Sequence, residues 1–80
     1  MSTTYAERTM AQEIGGRIRI AREAAGLSLT SVAGRIGVTK ATVHRYEMGT
    51  CPMPTVRFVR IAEIVGVTPG DILLDRKATR

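Results

Sequence analysis

The sequence has few of the residues that build metal centres, disulfide frameworks or catalytic sites. Its 80 residues include one cysteine, one histidine and no tryptophan. One thiol and one imidazole cannot make up a tetrahedral zinc site, and a single cysteine cannot form a disulfide within the chain. The lone histidine also leaves no nucleophile–base set of the kind that hydrolases use. We therefore expect a protein that is not an enzyme and that holds no metal and no other cofactor.

Long apolar runs are also missing. None approaches the roughly 20 residues of a membrane-spanning helix, and the first eight residues lack the apolar stretch of a secretory signal. The one thiol, Cys51, fits a reducing compartment, where it is either an incidental cysteine or a redox sensor. A chain of this length has room for one domain. We expect a single cytoplasmic domain that has no membrane partner.

Negative charge is scarce in the middle of the chain. The protein carries a net charge of +5. Residues 17–60 contain eight basic and two acidic residues, whereas the segments on either side are close to neutral. Clustered positive charge is typical of a surface that binds a polyanion such as nucleic acid. The total charge alone also fits a basic protein with no such partner.

The apolar residues recur with a helical period, and no segment shows the alternation of a β-strand. Because the chain has two tyrosines and one phenylalanine, its core must consist largely of isoleucine, valine, leucine and alanine. Hydroxyl residues before the apolar segments and glycines after them mark the helix ends. These signals predict helices at about 10–25, 29–35, 40–48 and 55–65, and a short helix that starts at Pro69.

Two capping boxes compete for the start of the first helix. One pairs Thr4 with Glu7, and the other pairs Thr9 with Gln12. Because two glycines at 15 and 16 weaken a long helix, we expect the later start. The predicted organisation is an N-terminal arm or frayed start of helix 1 (1–9), a helix-turn-helix domain (10–75) and a frayed tail (76–80).

Segment 29–48 has the pattern of two short helices joined by a tight turn. Ala33 is small enough to let the second helix approach, and Gly37 permits the positive φ of a sharp turn. Val43 and Tyr46 lie on the inner face of the second helix. These features predict a helix-turn-helix whose second helix presents its polar face outward.

This segment resembles the helix-turn-helix of the lambda repressor and Cro group, the XRE-type regulators. The matching residues are Val32-Ala33, Ile36-Gly37-Val38-Thr39, Val43 and Tyr46-Glu47-Met48-Gly49. The likeness extends over about residues 14–74, although Leu29 stands where the family usually has glutamine. The resemblance implies an all-α, compact five-helix lambda-repressor-like DNA-binding domain. It also implies a small transcriptional regulator, a repressor, that binds double-stranded DNA sequence-specifically with helix 3 (about 40–48) in the major groove.

The resemblance assigns DNA contacts to polar residues. The residues expected at base edges are Lys40, Ala41, His44 and Arg45. The residues expected at backbone phosphates are Ser28, Thr39, Thr42, Arg57 and Arg60. Arginine bonded to guanine is the commonest specific contact in such interfaces. Each of these side chains also fits an ordinary solvated helix residue, and Thr39 fits a simple N-cap.

Two further sets have structural roles. The resemblance pairs Arg22 with Glu47 in a partly buried ion pair. Four apolar residues are together more than we expect a core this small to absorb, and the exposed part of the set is the candidate dimer interface. The four residues are Phe58, Ile72, Leu73 and Leu74. We expect a homodimer that reads an inverted-repeat operator with half-sites about one helical turn apart.

Two other functions fit the same fold. One is an antitoxin or accessory protein that also masks a protein partner, and the missing glutamine at position 29 leaves this open. The other is a protein-interaction module that no longer binds DNA. The positive charge of residues 17–60 argues against the second.

Overall fold

The computed structural model describes residues 4–74, and this part of the chain is all-helical, without a strand. Its five helices are α1 (Tyr5–Ala24), α2 (Leu29–Ile36), α3 (Lys40–Met48), α4 (Thr55–Val65) and α5 (Pro69–Leu73). The all-α, five-helix fold is therefore confirmed. The helices α3 and α4 have the predicted bounds, and α2 is one residue longer. The predicted tail at 76–80 lies outside the described residues.

The first helix begins earlier than predicted. The Thr4 hydroxyl accepts from the Glu7 backbone N–H at 3.1 Å, and the Glu7 carboxylate accepts from the Thr4 N–H at 3.0 Å. This capping box satisfies two backbone donors that have no partner inside the helix. Thr9 is an interior residue whose hydroxyl donates to the Tyr5 carbonyl. The predicted start at about residue 10 is therefore wrong, because the chain is helical from Tyr5 onward. Residues 1–3 of the predicted arm lie outside the described residues.

Two glycines let α1 and α3 approach at backbone distance. A Cβ atom on Gly15 would overlap the carbonyl oxygens of Tyr46 and Glu47. A Cβ atom on Gly49 would lie 2.7 Å from the backbone nitrogen of Gln12. Gly15, which costs α1 helical stability, is thus required for the packing of α1 on α3.

The core is aliphatic, as the composition required. The largest side chains with almost no exposure are those of Ile18, Val32, Val43 and Ile61. They come from α1, α2, α3 and α4, so each of the four longer helices contributes one. This arrangement holds α2 and α3 against α1 and α4 and leaves the outer face of α3 in solvent.

Two of the four candidates for a dimer interface lie in this core. Phe58 is 9% exposed and Ile72 is 3% exposed, so these two residues do not belong to an exposed dimer patch. Leu73 and Leu74 are 53% and 66% exposed. Successive residues of a helix point about 100° apart. Because α5 packs on α1 and α4 and buries Ile72, the next two leucines turn toward solvent.

A side chain of α1 holds the end of α5. Arg17 donates from Nη1 to the carbonyl oxygens of Ile72 at 2.7 Å and Leu73 at 3.3 Å. Carbonyls at a helix C-terminus have no partner within the helix, and a cation there is favourable. Arg17 therefore fixes the position of the two exposed leucines.

Candidate nucleic-acid interface

The turn between α2 and α3 is short and tightly bonded. Gly37 adopts φ +76°, and its N–H donates to the Ala33 carbonyl. The N–H of Val38 donates to the same carbonyl at 3.0 Å. Thr39 then caps α3, because its hydroxyl accepts from the Thr42 N–H at 3.1 Å. Three residues thus redirect the chain, and this turn fixes the direction of α3 relative to α2.

The outer face of α3 carries the residues that were expected at base edges. Val43 and Tyr46, which are 0% and 4% exposed, anchor the inner face in the core. The four candidates on the opposite side are all exposed, namely Lys40, Ala41, His44 and Arg45. The structure therefore brings these four side chains together on one helical surface.

Negative charge is almost absent from the segment that contains α2 and α3. Between residues 24 and 62 the one acidic residue is Glu47, which is 5% exposed. Lys40, Arg45 and Arg35 are exposed and have no ion-pair partner within residues 4–74. Unpaired cations on one face attract a polyanion and raise its rate of encounter.

Glu47 is removed from the surface by a buried ion pair with Arg22. Arg22 donates from Nε to Glu47 Oε2 at 2.6 Å and from Nη2 to Glu47 Oε1 at 3.1 Å. A third donor, Nη1, reaches the Leu27 carbonyl at 2.8 Å. The hydrogen bonds with Glu47 raise the pKa of Arg22, against the opposite effect of burial. The pair joins α1 to α3 as the resemblance implied, and its role is structural.

The hydroxyl residues expected at phosphates lie at the starts of α2 and α3. Ser28 Oγ accepts from the Ser31 N–H at 3.0 Å. The Thr39 and Thr42 hydroxyls lie 2.9 Å apart and bond to each other. Ser28 and Thr39 therefore act as N-caps, whereas Thr42 is half-buried beside its partner.

The two arginines of α4 have different partners. Arg57 is half-buried and donates from Nη1 to the Tyr46 hydroxyl at 2.8 Å. Arg60 is exposed and forms an ion pair with Glu63 at 3.1 Å. Both line a shallow depression between α2 and α4, and Arg35 lies on its other side. The sequence does not reveal the nearness of Arg35 to α4, because it depends on tertiary packing.

Neither a membrane span nor a metal cluster is found among the described residues. No helix there combines the length and the apolar character needed to cross a bilayer. Residues 4–74 also contain no group of three or more potential metal-ligating side chains close together. Cys51 is half-buried and unpaired in the loop before α4.

The short turn, the buried inner face of α3 and its exposed basic outer face define a helix-turn-helix module. A family model described as a helix-turn-helix domain matches residues 13–74, and the chain belongs to this family. The chain is also 45% identical over 49 residues to a protein of Pyrobaculum aerophilum that is named as an HTH-type transcriptional regulatory protein. These matches confirm the resemblance to XRE-type regulators. The alignment covers 61% of this chain but only 18% of that relative's length.

Proposed function

We propose that the protein is a sequence-specific regulator of transcription that binds double-stranded DNA and acts as a repressor in the cytoplasm. The observation that carries this proposal is the exposed basic face of α3, from which Glu47 is withdrawn by its bond to Arg22. Helix-turn-helix domains place their second helix in the major groove. The name of the Pyrobaculum relative supports the regulatory role.

Arg45 and Lys40 are the side chains best suited to base edges. Both are exposed on the outer face of α3, and neither is committed to a carboxylate within residues 4–74. An unpaired guanidinium can bind guanine O6 and N7 together. In this proposal Ala41 contacts a thymine methyl group, and His44 contacts a base or a nearby phosphate.

The backbone contacts come from residues that flank α3 in space. Ser28 and Thr39 lie at helix starts, where backbone N–H groups and the helix dipole favour a phosphate. Thr42 lies beside Thr39, and Arg57 and Arg60 are on α4. Phosphate contacts fix the position of a protein on DNA without reading the sequence. These five residues thus orient α3 for base readout.

We infer that two copies bind an inverted repeat. A single small domain makes too few contacts for tight specific binding at physiological salt. Leu73 and Leu74 are exposed, and Arg17 holds the end of α5 that carries them. In this proposal a second copy joins through these leucines, and the two α3 helices bind half-sites about one helical turn apart, as in other helix-turn-helix dimers.

The same leucines support a second candidate function, that of an antitoxin or accessory protein. In that case Leu73 and Leu74 cover another protein instead of a second copy. A dimer in solution that is abolished by Leu73→Ser/Leu74→Ser favours the regulator. A monomer that binds a defined protein encoded beside it through these residues favours the alternative.

Fluorescence anisotropy with labelled duplexes tests DNA binding by α3. We expect the wild type to bind 20-base-pair duplexes of random sequence with an affinity that falls steeply with salt. The double variant Lys40→Ala/Arg45→Ala should lose most of this binding. Arg19→Ala is the matched control, because Arg19 is an exposed arginine on α1 that pairs with Glu23. Equal losses in the control and the double variant would contradict the assignment of α3.

A further inference from the structure

One hydrogen bond connects the side chains of α3 and α4 in the described part of the chain. It runs from Arg57 Nη1 to the hydroxyl oxygen of Tyr46 over 2.8 Å. The ring of Tyr46 is held in the core at 4% exposure, so its hydroxyl has a defined position. Arg57 lies in the first turn of α4, directly after the loop that leaves α3. A fixed group in the core thus holds a flexible cation near the surface.

We propose that Tyr46 is a positioning residue for phosphate binding, because its hydroxyl holds the guanidinium of Arg57 ready for the DNA backbone beside α3. This inference rests on the DNA-binding function proposed above. An arginine side chain has many rotamers, and ordering them on binding costs free energy. A hydrogen bond that restricts these rotamers in the free protein removes part of that cost.

The kind of group that bonds to Arg57 favours the positioning role of Tyr46. Tyr46 offers Arg57 a neutral oxygen, so the guanidinium is oriented and keeps its net charge. Arg60 and Arg19, by contrast, each bond to a carboxylate, at 3.1 Å and 3.2 Å. A carboxylate competes with a phosphate for the same cation, whereas a phenol does not. Arg57 also uses one of its several N–H donors on Tyr46 and keeps enough for a forked contact to a phosphate.

The surroundings of Arg57 are also basic. The depression that it lines on the α2 side carries Arg35 and Arg60 but no acidic residue. Arg35 has no ion-pair partner within residues 4–74. A phosphate that approaches Arg57 therefore meets a second arginine without an ion-pair partner, Arg35, on the other side of the depression.

The test is a double-mutant cycle on DNA affinity with Tyr46→Phe and Arg57→Ala. Tyr46→Phe keeps the buried ring and removes the hydroxyl, so we expect binding to all duplexes to weaken about threefold to tenfold. Arg57→Ala should weaken binding further and flatten the salt dependence. In the Arg57→Ala background, Tyr46→Phe should have no additional effect. Tyr5→Phe is the matched control, because Tyr5 is a tyrosine that is 78% exposed on α1.

Two results would overturn the positioning role. They are wild-type affinity in Tyr46→Phe and an equal loss in the presence and absence of Arg57. If circular dichroism shows that Tyr46→Phe is partly unfolded at the assay temperature, NMR of the arginine guanidinium groups in the free wild type decides. Slowed rotation in Arg57 but not in Arg45 supports the role, and equally free rotation refutes it. Failure of the wild type to bind any duplex refutes the proposed function as well.

Discussion

At the scale of single residues, the burial of Glu47 keeps its carboxylate away from the exposed basic face of α3. Arg22 and Glu47 are 10% and 3% exposed in their side chains. Because both charges are desolvated, each is compensated in the interior by the opposite charge of its partner. Removing one partner from a buried pair costs several kcal/mol, since the remaining charge stays buried without compensation.

We predict that Glu47→Gln lowers the free energy of unfolding by about 3 kcal/mol. Urea denaturation checks this value. The control is Glu63→Gln, because Glu63 pairs with Arg60 in an exposed ion pair, and such pairs contribute about 0.5 kcal/mol or less. Equal effects of the two substitutions would show that the buried pair is not structural.

The pKa of Arg22 sets the direction of the pH dependence of this pair. Its pKa is raised in the folded protein, first through the hydrogen bond with Glu47. A group with a raised folded-state pKa contributes stability that is fully present below its unfolded pKa and is lost as the pH rises through the folded one. Titration of Arg22 therefore leaves stability unchanged at neutral pH and weakens it only in strong alkali.

At the scale of helices, two neighbouring glycines of α1 have opposite roles. Gly15 faces the carbonyl oxygens of α3, whereas a Cβ on Gly16 would meet nothing within 4 Å. Alanine is better than glycine in a helix interior by about 1 kcal/mol. This gain applies freely at position 16 and is outweighed at position 15 by the collision with the α3 backbone.

We predict that Gly16→Ala stabilises the protein by up to about 1 kcal/mol, whereas Gly15→Ala destabilises it by about 1–3 kcal/mol through overpacking. Thermal unfolding of the two variants measures both effects. Stabilisation of both variants would contradict the close contact between Gly15 and the backbone of α3.

These elements also show how far the sequence predicts the fold. Caps, glycines and apolar spacing predicted α3 and α4 with their full bounds, because those signals are local. The start of α1 was missed because two capping boxes were both plausible. Gly15 and Gly16 look alike in the sequence, and only the packing of α3 on α1 separates them.

The sequence likewise predicted part of the candidate site. The outward face of α3 follows from helical geometry, and the four residues expected there are exposed. The sequence did not show which of the four dimer candidates are buried, and Phe58 and Ile72 lie in the core because of how α4 and α5 pack. The bond between Tyr46 and Arg57 was also missed, since it spans the loop between two helices.

At the scale of the whole molecule, the two exposed leucines at the end of α5 are the remaining candidates for a dimer contact. We predict that Leu73→Ser/Leu74→Ser stays folded but binds DNA as a monomer, because its apolar contact is lost. The control is Ile20→Ser, since Ile20 is 68% exposed on α1. Analytical ultracentrifugation with labelled DNA measures the stoichiometry. Two copies per duplex in the leucine variant would contradict the dimer contact.

The most direct test of sequence-specific reading by α3 is the selection of bound duplexes from a random DNA pool at about 150 mM salt, where non-specific binding is weak. Wild type and Arg45→Ala are selected in parallel. We predict that the wild type recovers an inverted repeat and that Arg45→Ala loses the guanine preference at one position in each half-site. Recovery of no motif by the wild type, or of the same motif by both proteins, would contradict sequence reading by Arg45 on α3.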